Sequence, residues 1–262
     1  PVRSIGNVQL DSMLHFLPDL RLNVNAGYDA AKGKGTVFVA DSAAAEYLTK
    51  GLNNRYQQNR TNTVFETYLN YAKDIKTIKS RIDATAGYSY NDFKTKVFFF
   101  PGYNAAGEKL ANSDPAFPYD IPRYRLISVF GRANYSYNDK YLFTATVRRD
   151  GSSRFGENNK YGVFPSVAAA WTISNEPFLK SVSSISNLKL RLGYGVTGQQ
   201  EGIENYGYLA SYSLSQNTTS YQFGDAFYQM YRPSGYIANI KWEETATSNI
   251  AVDYGFLNDR IS

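Results

Sequence analysis

Residues 149–156, with the sequence RDGSSRFG, bring two arginines and two glycines together. Glycine lets the backbone approach an anion closely, and Arg149 and Arg154 would supply positive charge beside it. The spacing is not that of a phosphate-binding loop, and Asp150 and the serines are residue types that satisfy turns. We therefore interpret this segment as a structured loop between two strands rather than as an anion site.

The chain offers little for hydrolytic, metal or thiol chemistry. It has one histidine, His15, and no cysteine, which argues against a metal site and excludes a cysteine nucleophile. A Ser-His-Asp triad would have to use His15, and no nucleophile-elbow sequence occurs. Carboxylates are plentiful, but their spacing does not point to an acid–base pair. We predict that the protein is not an enzyme and binds no metal or cofactor.

A long connection at residues 198–239 is rich in aromatic side chains. Its candidate binding residues are Tyr206, Tyr208, Tyr212, Tyr228, Tyr231 and Tyr236. Exposed rings of this kind can stack on sugars or grip a peptide at little cost in entropy. The alternative, which we favour, is that most of them form strand extensions or an aromatic girdle. A binding role for one or two of them stays open.

The elements that position these residues are ten segments in which apolar and polar residues alternate. In residues 188–197, every even position is apolar or aromatic and the odd positions are Lys, Arg, Gly, Gly and Thr. Strand side chains point to opposite faces with a period of two, so this segment has one apolar and one polar face. The segments exceed the ~5–6 residues of an average strand and approach the ~9–11 residues of a tilted membrane strand.

The connections between these segments alternate between short and long. We predict turns near Pro18, Asp74, Asp139, residues 175–186 and Asp259, and longer connections at 29–60, 94–123, 150–160 and 198–239. Bacterial outer-membrane barrels have short periplasmic turns and long extracellular loops. The pattern therefore predicts an all-β fold: a segment of an antiparallel transmembrane β-barrel with about ten long meandering strands.

Composition agrees with this prediction. Aromatic residues make up 16% of the chain, with 23 tyrosines, and tyrosine favours both strands and membrane interfaces. The apolar runs are far shorter than the ~20 residues of a transmembrane helix. The net charge is +5 with basic and acidic residues interspersed, which gives little reason to expect nucleic-acid binding.

Charged side chains recur on the polar side of the alternating segments. The candidates that would face the lumen of a barrel are Arg132, Arg148, Lys189, Arg191 and Asp253. They invite assignment to a translocation path. Charges inside a barrel are, however, usually paired with one another or with a domain that fills the barrel, and we favour this structural role.

Five motifs together resemble one family. They are RDGSSRFG at 149–156, GVFPS at 162–166, Ala170-Trp171, LKLRLGYGVTGQ at 188–199, and Trp242-Glu243. In these motifs the chain resembles the barrel region of the SusC/RagA family of TonB-dependent outer-membrane transporters. The remaining residues match the succession of hairpins in that family, but less closely.

The resemblance implies that the chain is part of a larger transport protein in the bacterial outer membrane. Family members have a signal peptide, an N-terminal plug and a barrel of ~22 strands. They import glycans or peptides with a SusD-like lipoprotein lid and energy relayed by TonB. We therefore expect residues 1–262 to be part of such a barrel domain, without the plug, the signal peptide and the remaining strands. The tyrosines of the long connection would then also be candidates for contacts with the lid.

Two other interpretations remain open from the sequence. One is a small self-contained outer-membrane barrel, either a porin or a surface protease. The other is a soluble carbohydrate-binding β-sandwich, whose strands also alternate but are usually shorter. The sequence does not identify the cargo under any of these interpretations.

Overall fold

A computed structural model describes the whole chain except residues 180, 181, 183, 216–218, 258, 259, 261 and 262. The turn predicted at Asn258 and Asp259 lies outside the described residues. The helices in the described part are single 3₁₀ turns at Ala44–Glu46, Lys76–Ile78, Glu157–Asn159 and Ile173–Asn175. None of them has the length or hydropathy to cross a membrane.

The fold is a meander of antiparallel strands. The described strands are β1 (Val2–Leu14), β2 (Leu17–Val39), β3 (Leu52–Ile75), β4 (Ser80–Phe98), β5 (Tyr119–Asp120), β6 (Arg123–Tyr137), β7 (Tyr141–Ser152), β8 (Tyr161–Thr172), β9 (Ile185–Gln199), β10 (Tyr212–Leu214), β11 (Ser220–Phe223), β12 (Ala226–Gln229), β13 (Tyr231–Pro233) and β14 (Glu243–Phe256). In the main sheet the order is β1-β2-β3-β4-β6-β7-β8-β9-β14, with the two-residue β5 beside β4. The predicted all-β antiparallel class is confirmed.

The predicted bounds of one turn and two connections are wrong. The first turn lies at His15 and Phe16 rather than at Pro18 and Asp19. The connections predicted at 29–60 and 94–123 shrink to 40–51 and 99–122. The strands continue there without a clear apolar alternation, because a hydrogen-bonded ladder can extend beyond the segment that has an apolar face.

The turn predicted at residues 138–140 is confirmed, and its backbone shows why. Asn138 and Asp139 both have positive φ, at 52° and 53°. Asn and Asp tolerate this left-handed conformation better than most residues, and a type I′ turn requires it at both central residues. The N–H of Lys140 donates to the carbonyl of Tyr137 at 3.0 Å and closes the turn.

Backbone contacts divide the chain into two compact units. The first comprises residues 1–10, 24–66 and 90–125. Within it, Arg3 donates to both carboxylate oxygens of Asp29, at 2.8 and 2.9 Å. The turn before β3 requires Gly51, because its φ is +83° and a Cβ there would lie 2.5 Å from the carbonyl oxygen of Val39.

The second unit, residues 11–23, 67–89 and 126–262, contains the sheet from β6 to β14. The strand registers collect most apolar side chains on one surface, which we call the apolar face: Val129, Ala133, Tyr135, Phe143, Ala145, Val147, Val163, Val167, Ala169, Leu192, Ile250 and Val252. We call the opposite surface the polar face; it carries Thr144, Thr146, Ser166, Thr247 and Asn249.

The apolar face is largely uncovered. Ile250 is 76% exposed, Val129 59% and Val163 53%. Among the described residues, the buried hydrophobic side chains are those of Phe155, Phe164 and Trp242. An apolar surface of this extent is not expected on a soluble monomer, whereas a membrane strand shows its apolar residues to lipid.

Candidate functional site

The long connection between β9 and β14 folds into two small ribbons. In one, β10 pairs with β13, and in the other β11 pairs with β12. Polar and aromatic residues of both ribbons are exposed, while the base of the connection is anchored to the sheet. This arrangement presents aromatic side chains on a fixed support.

The anchor is a cluster of three rings, which we call the aromatic anchor: Phe155, Phe164 and Trp242. Phe155 is fully buried, and its ring centroid lies 5.0 Å from that of Trp242, while the Phe164–Trp242 distance is 5.4 Å. The indole Nε1 of Trp242 donates to the carbonyl of Lys160 at 3.2 Å. Packing and hydrogen bonding therefore hold the end of the connection against the β7–β8 loop.

Two glycines make room for this cluster. A Cβ on Gly198 would lie 2.0 Å from the ring of Phe164, and one on Gly162 would lie 2.4 Å from it. Neither position could accept a side chain without displacing the ring. Both glycines belong to the sequence motifs that carry the family resemblance, so those motifs have a packing role here.

Arg154 ties the same two connections together by hydrogen bonds. Its Nε donates to Asn205 Oδ1 at 3.1 Å, and its Nη1 donates to the carbonyl of Gln200 at 3.0 Å. The predicted loop at residues 149–156 is wrong in its first half, because Arg149 to Ser152 belong to β7. For residues 153–156, this geometry agrees with a structured loop. Arg149, by contrast, extends from the apolar face of β7.

The six candidate tyrosines are divided between the ribbons and their base. Tyr212 and Tyr231 lie on one face of the β10–β13 ribbon and are 70% and 72% exposed. Tyr228 lies on β12 directly opposite Tyr221. The other candidates precede or follow the ribbons: Tyr206, Tyr208 and Tyr236. Tyr212 and Tyr231 thus lie at diagonal positions of one ribbon, and the other four candidates lie outside that ribbon.

All five candidate charges lie on the polar face, as period-two alternation predicted: Arg132, Arg148, Lys189, Arg191 and Asp253. Arg191 Nη2 lies 2.6 Å from Asp253 Oδ1. Arg148 donates to Asp150 Oδ1 at 2.7 Å and to Ser128 Oγ at 2.8 Å. These pairs within the sheet fit the structural role that the sequence favoured.

A carboxylate at the opposite end of the sheet was missed by sequence reasoning. Glu176 accepts hydrogen bonds from Lys140 Nζ at 2.7 Å, Tyr141 Oη at 2.7 Å and Trp171 Nε1 at 3.2 Å. These donors, Lys140 first, lower the pKa of Glu176 from 4.5 to about 2. The signal in the sequence was an acidic residue in the connection that follows β8.

The described residues contain no group of three or more His, Cys, Asp or Glu side chains arranged to hold a metal ion. The site therefore consists of an anchored aromatic loop at one end and a polar sheet face with paired charges. Such a surface can bind and position a ligand.

A sequence profile described as "TonB dependent receptor-like, beta-barrel" matches residues 4–262. The chain belongs to this family. It is a family of transporters and receptors rather than of enzymes, and barrels of the SusC/RagA type are outer-membrane proteins.

Relatives of this TonB-dependent barrel support the resemblance to SusC and RagA. The chain is 38% identical over 98% of its length to TonB-dependent receptor SusC of Bacteroides thetaiotaomicron, and covers 26% of that protein. It is 31% identical to TonB-dependent receptor P26 of Formosa agariphila, covering 94% of the chain and 24% of the relative. The chain thus spans about a quarter of the length of these curated relatives.

Solved structures agree on the fold of this barrel segment. A structure of the RagAB peptide importer in its closed-closed state superposes with a TM-score of 0.79. The two chains are 23% identical, and the match covers 98% of this chain and 28% of the other. The likeness confirms the architecture of a TonB-dependent barrel.

Proposed function

We propose that the protein is part of a TonB-dependent importer of glycans or peptides in the outer membrane, working with a SusD-like surface lipoprotein. The family match over residues 4–262 carries this proposal. The identity to SusC supports an importer of the SusC/RagA type. The printed description of RagAB as a peptide importer keeps peptides among the candidate substrates.

Residues 1–262 would form one part of the barrel wall. Strands β1 and β14 each have one neighbour in the described sheet, and an open strand edge cannot persist in lipid because its N–H and C=O groups would be unsatisfied. Further strands therefore close the barrel in the whole protein. A plug domain and a TonB-contacting segment complete the transporter.

This part of the protein forms the wall and loops and carries out no bond chemistry. Substrate would bind at the extracellular end, where the exposed rings of Tyr212 and Tyr231 meet solvent. The lipoprotein would then close over the loops, and TonB would remodel the plug. The pairs Arg148–Asp150 and Arg191–Asp253 would then stabilise the polar face of this wall.

Uptake by the native bacterium tests the proposal. We expect deletion of the gene to abolish uptake of labelled substrate from one mixture, either oligosaccharides or peptides. Loss of TonB should abolish the same uptake, because the plug opens only with its energy. Uptake of both mixtures at wild-type rates after the deletion would contradict an importer.

The aromatic ribbons should contribute to substrate or lipoprotein binding. We expect Tyr228→Ala combined with Tyr231→Ala to weaken one of these interactions about tenfold, since central aromatic contacts often contribute more than 1 kcal/mol. Concentration-dependent uptake and co-purification of the lipoprotein measure the two effects. Tyr47→Ala is the matched control, because Tyr47 is also 72% exposed but lies in a different connection. Unchanged uptake and unchanged co-purification would exclude a binding role for both tyrosines.

A further inference from the structure

Arg149 is a charged residue on the apolar face, near the end of β7. Arg149 lies opposite Val129 on β6 and Val163 on β8, so its side chain leaves the sheet on the apolar face. Val147, two residues earlier on the same face, is 51% exposed. A basic side chain on a face that meets lipid carries an energetic cost and calls for a compensating interaction.

Arg149 finds a ring but no counter-ion. Its guanidinium carbon lies 4.4 Å from the centre of the Tyr161 ring, which is within the range of a cation–π contact. In the part of the chain that the structure describes, no carboxylate pairs with it. The preceding residue, Arg148, points to the polar face and pairs with Asp150 there. Of these two adjacent arginines, Arg148 therefore has a carboxylate partner on the polar face, whereas Arg149 has none among the described residues on the apolar face.

A cavity lies beside this guanidinium. It has a volume of about 250 Å³ and is lined by Tyr88, Ile127, Ser128, Val129, Arg149 and Tyr161. The Tyr161 ring can form one wall of this cavity because residue 151 is a glycine. A Cβ at Gly151 would lie 2.6 Å from that ring. The cavity thus combines apolar walls, two phenol rings and one positive charge.

We propose that this cradle of Tyr88, Ile127, Val129, Arg149 and Tyr161 binds the phosphate group of an anionic lipid in the outer leaflet. The guanidinium lies over the ring of Tyr161, and its N–H groups would donate to phosphate oxygens. The apolar walls receive the upper part of an acyl chain. The cradle lies at the end of β7 that leads into the β7–β8 connection, which is on the loop side of the membrane.

Charge and polarity together identify a lipid as the occupant. A free phosphate ion would use Arg149 but leave Ile127 and Val129 facing it without a favourable contact. An apolar protein segment would cover the walls but bury the guanidinium without a counter-ion. A lipid that carries a phosphate above its acyl chains satisfies both parts of the surface. The proposal rests on the outer-membrane location of the barrel and is independent of what it transports.

Lipid retention by the full-length protein tests the cradle. The protein is purified in mild detergent and incubated with diphosphorylated lipid A or with the same lipid after enzymatic removal of its phosphates. Native mass spectrometry measures the retained lipid. We expect the wild type to retain the phosphorylated form, and Arg149→Gln to lower this retention about fivefold, which corresponds to the ~1 kcal/mol of a basic residue at an anionic lipid surface.

Three comparisons make the result specific. Arg149→Lys should retain an intermediate amount, because it keeps the charge and loses the planar stacking. Arg81→Gln removes the same charge near the start of β4 and should match the wild type. Excess inorganic phosphate should not displace the lipid; displacement would assign the site to a free anion. Heat-dependent migration on gels checks that every variant is folded.

Two results would overturn the proposal. One is equal retention of phosphorylated lipid A by folded Arg149→Gln and by the wild type. The other is equal retention of the phosphorylated and phosphate-free lipids by the wild type. Uptake assays on the same variants test the transport proposal separately. If the protein imports substrate normally but gives either of these retention results, only the lipid site is contradicted.

Discussion

Replacing Trp242 with alanine is expected to free the connection at residues 200–242 from the sheet while the sheet itself stays folded. The substitution removes both ring contacts of the aromatic anchor and the hydrogen bond to Lys160. Truncating a buried aromatic side chain typically costs about 3–5 kcal/mol. Hydrogen exchange in this connection should therefore rise by at least about two orders of magnitude, because local opening follows the free energy that holds the segment.

Phe227→Ala provides the control for this prediction. Phe227 lies on β12 in the same connection but is 69% exposed, so its removal should leave exchange unchanged. Hydrogen exchange with mass-spectrometric detection on the purified full-length protein measures both variants. If the Trp242 variant exchanged like the wild type, the anchor would not be what holds the connection in place.

The anchor also shows where sequence reasoning stops. Phe164 occupies a position of β8 whose neighbours in the alternation, Ser166 and Ala168, belong to the polar face. A phenylalanine there breaks the period of two, and Gly162 and Gly198 make space for its ring. These signals are visible in the sequence, but only the register between strands shows that the three positions meet.

The alternation of apolar and polar residues predicted on which face of the sheet many side chains lie. It placed Arg132, Lys189 and Asp253 on one face, because a regular strand fixes the side of every residue. It did not predict the extra length of β2 to β4, because strands beyond the apolar segment carry no such pattern. Nor could it predict the pairing of Tyr228 with Tyr221, which depends on how a loop folds back on itself.

At the opposite end of the sheet, Glu176→Gln is expected to lower the thermal stability of the barrel at neutral pH by several degrees. The wild-type carboxylate accepts hydrogen bonds from Lys140, Tyr141 and Trp171. A neutral amide keeps the shape but loses the charge that Lys140 compensates, and its NH₂ group faces donors rather than acceptors. Lys140 and Glu176 are 14% and 10% exposed, so water can replace the lost interaction only in part.

The pH dependence of that stability shows whether the charge of Glu176 or only the shape of its side chain stabilises the protein. The pKa of Glu176 is about 2 in the folded protein and 4.5 for an ordinary glutamate, so the folded state favours the ionised form. Its contribution is complete above pH 4.5 and disappears as the pH falls towards 2. The wild type should therefore lose, across this window, the advantage that it holds over Glu176→Gln, whereas Glu157→Gln, an exposed carboxyl in a 3₁₀ turn, should follow the wild type throughout. A constant difference between the wild type and Glu176→Gln from pH 7 to pH 2 would show that shape, and not charge, stabilises this turn.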